Sequence, residues 1–405
     1  MDLPLSDIKV VEICQALSGP FASMLLADQG ADVIKIEPTD GDRTRVVVPY
    51  LPEVEGMSIR YVTFNRNKRS IALDLSKPKG RQLAYSLVRR ADVLVINMRA
   101  SARRRVGLTY EEIAAVNPRV IYASLTGYGE EGPDTDVPGV DIIIQARSGD
   151  LAARRIATGV MPSHTQLYDA DMTAAMLLAY GVTLALRQRE VTGVGQKVDT
   201  SLLQAALACH TVNMTQRAGA TANYGVVPAG KSTYMCSDGR YLLALNAGAP
   251  WQRFCQVIGL DYLTKDTAYD TAAKRREKAE EIFQIVSRQF ATRPAAEWEA
   301  LLKADGHTAS VVREIAEVYE DPQVVANHMI TQFEQPGLGP VTVVNIPFQM
   351  SATSNESRFR RPAPSLGEQT QQVLEELGCT PSEIQSLKAE GVTSNQGRRS
   401  YFQAD

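Results

Sequence analysis

The sequence predicts an α/β protein: a large domain built on a doubly wound, Rossmann-like parallel sheet, plus a smaller α+β domain. Three observations predict this. β-branched runs alternate with helical segments through the first third of the chain, the pattern of parallel βαβ units. A second composition regime, with charged helices, begins near Lys231. The 405 residues exceed one ordinary compact unit and suit two or three.

Taken in order, Lys9–Cys14 (KVVEIC) reads as a strand, Pro20–Gln29 as a helix stopped at Gly30, and Asp32–Glu37 (DVIKIE) as a second strand. Ser70–Leu75 (strand), Lys79–Arg90 (helix) and Asp92–Met98 (strand) repeat the unit, as do Tyr110–Val116 (helix) and Arg119–Leu125 (strand). A doubly wound sheet is the economical arrangement of these elements. Asp171–Arg189 is a helix of small and apolar residues, a composition suited to burial on most sides. Gly193–Gly195 breaks the chain, Ser201–Thr215 is a further helix, and Ala218–Gly230 is a Gly/Ala/Tyr/Pro-rich linker or loop. Beyond it come a strand at Arg240–Asn246 and helices at Pro250–Ile258, Ala273–Phe290, Pro294–Ala304 and Asp321–Met329. Val311–Tyr319 holds a strand end, and Pro340–Pro347 is a strand. Terminal helices at Gln369–Leu377 and Ser382–Ala389 follow a Pro/Gly connection, Pro362–Gly367.

Composition excludes several classes. The chain is 44% hydrophobic and 22% charged with net charge −3, which is unlike a strongly basic nucleic-acid binder. The five cysteines are scattered, odd in number and without a CxxC pair, and the four histidines are isolated. Neither a disulfide framework nor a metal site is expected, and a reducing compartment is. The amino terminus lacks a cationic start followed by an apolar stretch, and no run looks long enough to cross a bilayer. A cytoplasmic protein with no membrane or nucleic-acid partner is expected.

Few residues announce chemistry. The turn Leu17-Ser18-Gly19-Pro20 opens a helix whose free N–H groups suit an anion, but it has neither GxGxxG nor a P-loop. A plain strand–helix turn accounts for it equally well. Arg43 and Arg45, then Arg66, Lys68 and Arg69, then Arg99, Arg103, Arg104 and Arg105 lie next to expected strands. In a parallel sheet such loops collect on one edge, where arginines suit a multiply phosphorylated ligand; most single members read as solvated surface. Asp169 and Asp171 precede the apolar helix, and Asp141 stands in PGVDIIIQARSG. From the residues alone, an aspartate in such a place is first of all a helix cap. No GxSxG or histidine triad pattern occurs.

Together these segments resemble the class III CoA-transferases, the CaiB/BaiF family. The resemblance is carried by VVEICQALSGPFASMLLADQGADVIKIEPTDGD, FNRNKRSIALDLSKPKG, INMRASARRRVGL, VNPRVIYASLTGYGEEGP and GVDIIIQARSG. It continues through DADMTAAMLLAYGVTLALRQREVTGVGQKVDTSLLQAAL, DPQVVANHM and PSLGEQTQQVLEELG, so that it spans about residues 5–392.

The resemblance implies that CoA passes from an acyl-CoA thioester to a carboxylic acid through aspartyl anhydride and aspartyl-CoA thioester intermediates. Spacing back from Gly181 and Ala185-Leu186 puts the family's nucleophile at Asp171 rather than Asp169. Family CoA contacts fall on Leu17, Ser18, Leu73, Asp74, Leu75, Ser76, Asn97, Met98, Arg99 and Arg105, with Arg43, Lys68 and Arg69 as further candidates. Gly225 and Gly230 are candidate lid residues. Coenzyme A enters as substrate, with no permanent cofactor and no metal. The likeness also implies an interlocked homodimer and a division into 1–200 (large domain), 201–224 (helical linker), 225–335 (small domain) and 336–405 (a return completing the large domain). Three departures bear on substrate. Leu17 replaces the glutamine of formyl-CoA transferases, and YGVVPAG (224–230) replaces their glycine run; both count against a formyl/oxalate pair. Val140 replaces the histidine of the α-methylacyl-CoA racemase branch, which counts against an isomerase. Intramolecular transfer within a dicarboxylate and a CoA-binding scaffold without activity are the other readings.

Overall fold

The computed structural model describes residues 3–47, 57–158, 161, 163–164, 167–215, 232–245, 251–353 and 358–394. The chain opens with β1 (Lys9–Ile13), α1 (Ser18–Asp28), β2 (Asp32–Glu37), α2 (Ile59–Asn65), β3 (Lys68–Ala72) and α3 (Pro78–Arg89). There follow β4 (Val93–Ile96), α4 (Ala100–Val106), α5 (Tyr110–Val116) and β5 (Ile121–Thr126). Then come α6 (Asp141–Arg147), α7 (Asp150–Thr158), α8 (Asp169–Thr192), β6 (Gln196–Ser201) and α9 (Leu202–Cys209).

The six strands form one sheet in the order β3-β2-β1-β4-β5-β6, with every pair parallel. This is the doubly wound order, and it reverses direction between β1 and β4. The period-2 alternation of strand side chains sorts the apolar residues onto two faces. Val10, Val33, Val93, Val95, Ile121 and Ala123 pack with residues of α1, α8 and α9. Their neighbours Val11, Ile13, Ile34, Ile36, Leu94 and Ile96 pack with α3, α5 and the terminal helices Thr370–Glu376 and Pro381–Ala389. The returning chain also ties itself to β3: Gln369 bonds both backbone groups of Ser70, and the Thr393 hydroxyl donates to the Ala72 carbonyl at 2.7 Å.

Two compact units divide the chain: residues 1–153, 161–225 and 328–405 form one, and 154–160 with 226–327 form the other. The second carries a three-stranded antiparallel sheet of Thr233–Met235, Tyr241–Leu245 and Thr308–Val311. Its core gathers Phe254, Phe290, Trp298 and Leu302. A hairpin of Ile330–Gln335 and Gly339–Val344 belongs to the first unit and straddles residue 335, where the sequence reading divided the chain.

Some elements differ from expectation. β3 starts at Lys68 rather than Ser70 because Lys68 and Arg69 find carboxylate partners. β6 was not anticipated: its sequence, QKVDTS, is polar, as a half-exposed edge strand allows. The helix expected at Ser201–Thr215 is two pieces, broken at His210. The 24-residue α8 is, by length and composition alone, apolar enough to cross a membrane, contrary to the expectation that no run is. It instead lays Ala170, Ala174, Ala175, Leu178, Val182 and Ala185 into the core against the sheet.

Candidate active site

The carboxyl ends of β1 and β4, where strand order reverses, are where a doubly wound sheet opens a crevice. The turn after β1 (residues 14–17) and the Asn97–Arg99 segment after β4 meet there. The Asn97 side chain accepts from the Gln15 N–H at 3.0 Å and donates to the Gln15 carbonyl at 2.7 Å. Ala16 next to it has φ of +69°, a region that is costly for a residue with a Cβ. Gly19 is needed by contact: a Cβ there would stand 2.6 Å from Cys14 Sγ and 3.3 Å from Asn97.

Asp171 comes to this turn from α8. The cap reading fails for both aspartates, because the N-cap is Tyr168, at φ 54° and without a side-chain capping bond. Asp171 is the third helical residue, 9% exposed. Its backbone N–H donates to Asp141 Oδ2 at 3.0 Å, so Asp141, the first residue of α6, ties the start of α8. Gln145 donates to the other oxygen of Asp141 at 2.6 Å. The Ser18 hydroxyl, at the start of α1, stands close enough to the Asp171 carboxylate to lower its pKa. Burial lifts the Asp171 carboxyl from its ordinary 3.8 to about 6; the Ser18 hydroxyl opposes the rise and the charge of Asp141 adds to it. The group is thus desolvated yet mainly ionised at neutral pH.

Most of the expected CoA residues gather on the same sheet edge. Leu17 and Ser18 follow β1, Arg43 follows β2, Leu73, Asp74, Leu75 and Ser76 follow β3, and Asn97, Met98, Arg99 and Arg105 follow β4. Ser76 turns its N–H and hydroxyl onto Asp74 Oδ1 at 2.9 and 2.6 Å, while Leu73 is buried. Arg43, Arg99 and Arg105 are exposed and make no ion pair among the described residues. The other arginines of the Arg103–Arg105 run are occupied, Arg103 by Glu130 at 2.8 Å and Arg104 by Asp136 at 3.1 Å.

Lys68 and Arg69 are not brought to this edge. They stand at the amino end of β3, and internal acids already neutralise them. Lys68 Nζ lies 2.8 Å from Glu12 and also bonds the Pro20 carbonyl; burial draws its pKa down to about 8, with Glu12 opposing and Lys35 adding. Arg69 is held by Asp32 at 2.6 Å and Glu376 at 2.8 Å. The groove beside them, lined by Ser6, Asp32, Arg69, Arg360 and Glu376, lies at the edge opposite Asp171. Gly225 and Gly230 fall outside the described residues. Among the described residues no cluster of His, Cys, Asp or Glu is suited to a metal.

Sequence reasoning missed the role of Asp141 as tether of α8 and of Asn97 as a clamp between two loops. Their signals were present only as an aspartate at an expected helix start and an asparagine at a strand end.

The profile of the family described as CoA-transferase family III matches residues 5–370. The chain is 33% identical to the succinate–glutarate CoA-transferase of Agrobacterium fabrum over 385 residues, covering 92% of this chain and 96% of the relative. It is 31% identical to the formyl-CoA:oxalate CoA-transferase of Streptomyces coelicolor, over 96% of this chain and 98% of that one. A crystal structure of a CAIB/BAIF family protein from Brucella suis superposes with a TM-score of 0.79 at 29% identity, covering 93% of this chain and 100% of that one. With the nearly full-length profile match, the doubly wound sheet and relatives that transfer CoA between acids, the chain belongs to CoA-transferase family III.

Proposed function

We propose that this protein transfers CoA between an acyl-CoA and a free carboxylic acid, with Asp171 as the covalent nucleophile. The observation that carries the reading is a carboxylate, desolvated but still ionised at neutral pH, at the start of an apolar helix beside the β1–α1 turn. A carboxylate in water is a weak nucleophile because of its hydration; removing that shell and fixing its direction activates it.

Asp171 attacks the thioester carbonyl, the C–S bond breaks, and an aspartyl–acyl anhydride and CoA thiolate form. The thiolate attacks the aspartyl carbonyl and releases the donor acid, leaving an aspartyl-CoA thioester. The acceptor carboxylate attacks that thioester to give a second anhydride and thiolate. The thiolate then takes the acceptor acyl group and restores Asp171. No proton is gained or lost overall, and one thioester replaces another. Arg43, Arg99 and Arg105 supply the phosphate contacts. A homodimer, a cytoplasmic location and the 1–200, 201–224, 225–335 and 336–405 division belong to the same reading.

Val140 argues against the racemase alternative, since it places an exposed apolar side chain where that chemistry needs a base. The test is mass spectrometry of the Asp171 peptide after incubation with succinyl-CoA, alongside turnover with glutarate, oxalate and other acceptors. CoA mass on Asp171, and loss of at least about 10³-fold in kcat for Asp171→Ala with the fold retained, are expected. Near wild-type turnover by Asp171→Ala removes Asp171 from the mechanism.

A further inference from the structure

The turn that leads to Ser18 is held from outside at each of its first three residues. Asn97 grips Gln15 on both sides. The Cys14 carbonyl accepts from Lys35 Nζ at 2.9 Å, and the left-handed Ala16 donates its N–H to Asp42 Oδ1 at 3.3 Å. Lys35 and Asp42 are 2.9 Å apart and belong to a charged cluster sealed in the core. Lys35 lies 2.7 Å from Glu12, whose second oxygen meets Lys68 at 2.8 Å. Asp42 donates its N–H to Glu37, which Arg45 grips at 2.7 Å. The three carboxylates and three cations balance, and each residue is at most 3% exposed. The cluster also reaches the first turns of α1: Lys68 bonds the Pro20 carbonyl at 2.8 Å and Ser23 donates to Glu12 at 2.5 Å.

Apolar residues would hold these strands together without the desolvation that six buried charges demand. What apolar residues lack is donors and acceptors aimed at the backbone of one sterically unfavourable turn. We infer that Glu12, Lys35 and Asp42 are positioning residues for CoA transfer: they hold the β1–α1 turn in its left-handed form so that Ser18 stands beside the Asp171 carboxylate. The inference rests on Asp171 being the nucleophile.

The test compares Asp42→Ala with the same change in an Ala16→Gly background, using the acyl-CoA and acid pair active in the acceptor screen. Glycine adopts the left-handed turn without steric penalty and restores no contact of the cluster. Asp42→Ala is expected to lower kcat at least about tenfold in folded protein, because small misplacements at a reacting group are expensive. It also moves the acid limb of the kcat profile to higher pH, since Asp171 loses Ser18 and keeps Asp141, the charged group that faces it among the described residues. Adding Ala16→Gly recovers most of the lost kcat. If Asp42→Ala does not fold, Asp42→Asn shows the same pattern at about threefold. A lowered melting temperature with kcat and acid limb unchanged, or no recovery on adding Ala16→Gly, overturns the inference. Wild-type protein that never acquires CoA on Asp171 overturns the parent reading instead.

Discussion

A carboxyl lifted to about 6 destabilises the protein that holds it. The unfolded chain ionises Asp171 near 3.8, whereas the folded chain keeps its proton until about 6. The penalty is therefore absent below pH 3.8, grows as pH rises between the two values, and is complete above about 6. It amounts to about 3 kcal/mol as an upper bound. Asp171→Asn is expected to raise the stability at pH 7.5 by about 1–3 kcal/mol while abolishing transfer, the exchange of stability for activity common at active sites. Urea melts at pH 7.5 and pH 4 check this; an equal gain at both values means that burial of charge is not the cause. The same ionisation sets the rate profile. kcat falls with acid through a limb near 6, and Ser18→Ala, which removes the hydroxyl opposing the rise, moves that limb upward. Of these residues the sequence by itself offered Asp171 only as a cap, and the family pattern supplied the choice over Asp169. Asp141 escaped because its partner is 30 residues away, and no local spacing encodes such a pair.

Among elements, the strands of the sheet centre were legible because apolar runs such as VVEI and DVIKIE face helices on both sides and carry β-branched residues throughout. Legibility fell at the edges. β6 hides in a polar run whose Gly195 is fixed by contact, a Cβ there lying 2.2 Å from the Val120 carbonyl. β3 begins with two cations, an opening that reads as a surface loop until the buried acids beside them are known. The basic clusters met the same limit: exposed Arg43, Arg99 and Arg105 and buried Lys68 and Arg69 look alike in sequence, and only the fold separates free charge from compensated charge. At this scale Asn97 joins the β1–α1 turn to the β4–α4 connection. Asn97→Ala removes both bonds to Gln15 and is expected to destabilise the fold by about 2 kcal/mol. It also raises the KM for acyl-CoA, because the turn and the Asn97–Arg99 segment shape the same crevice. Steady-state kinetics with thermal melts decide: lower stability with KM unchanged limits Asn97 to the scaffold.

For the whole molecule, alternation of strand and helix is enough to suggest a doubly wound sheet but not its order, which depends on crossovers that no local pattern records. The closing of the β3 side by the carboxy-terminal segment likewise joins residues some 300 positions apart. One unspent apolar feature is on α8. One face enters the core, while Met176, Leu177, Tyr180, Leu184 and Val191 remain 40–75% exposed. Met176, Tyr180 and Leu184 recur at i, i+4, so they share one stripe along the helix. A contiguous exposed apolar stripe marks an interaction surface, and the proposed homodimer is the occupant this reading requires. Sedimentation equilibrium at micromolar concentration is expected to give the mass of two 44.3 kDa chains. Pairing Tyr180→Glu with Leu184→Glu puts two charges on the stripe, and burying unpaired charges at an interface is costly; the dissociation constant is expected to rise at least about 100-fold. Because both residues are exposed in the single chain, that variant keeps its helix content and core. A wild-type mass of one chain, or a double variant that dimerises as tightly as the parent, excludes this face of α8 as the dimer contact.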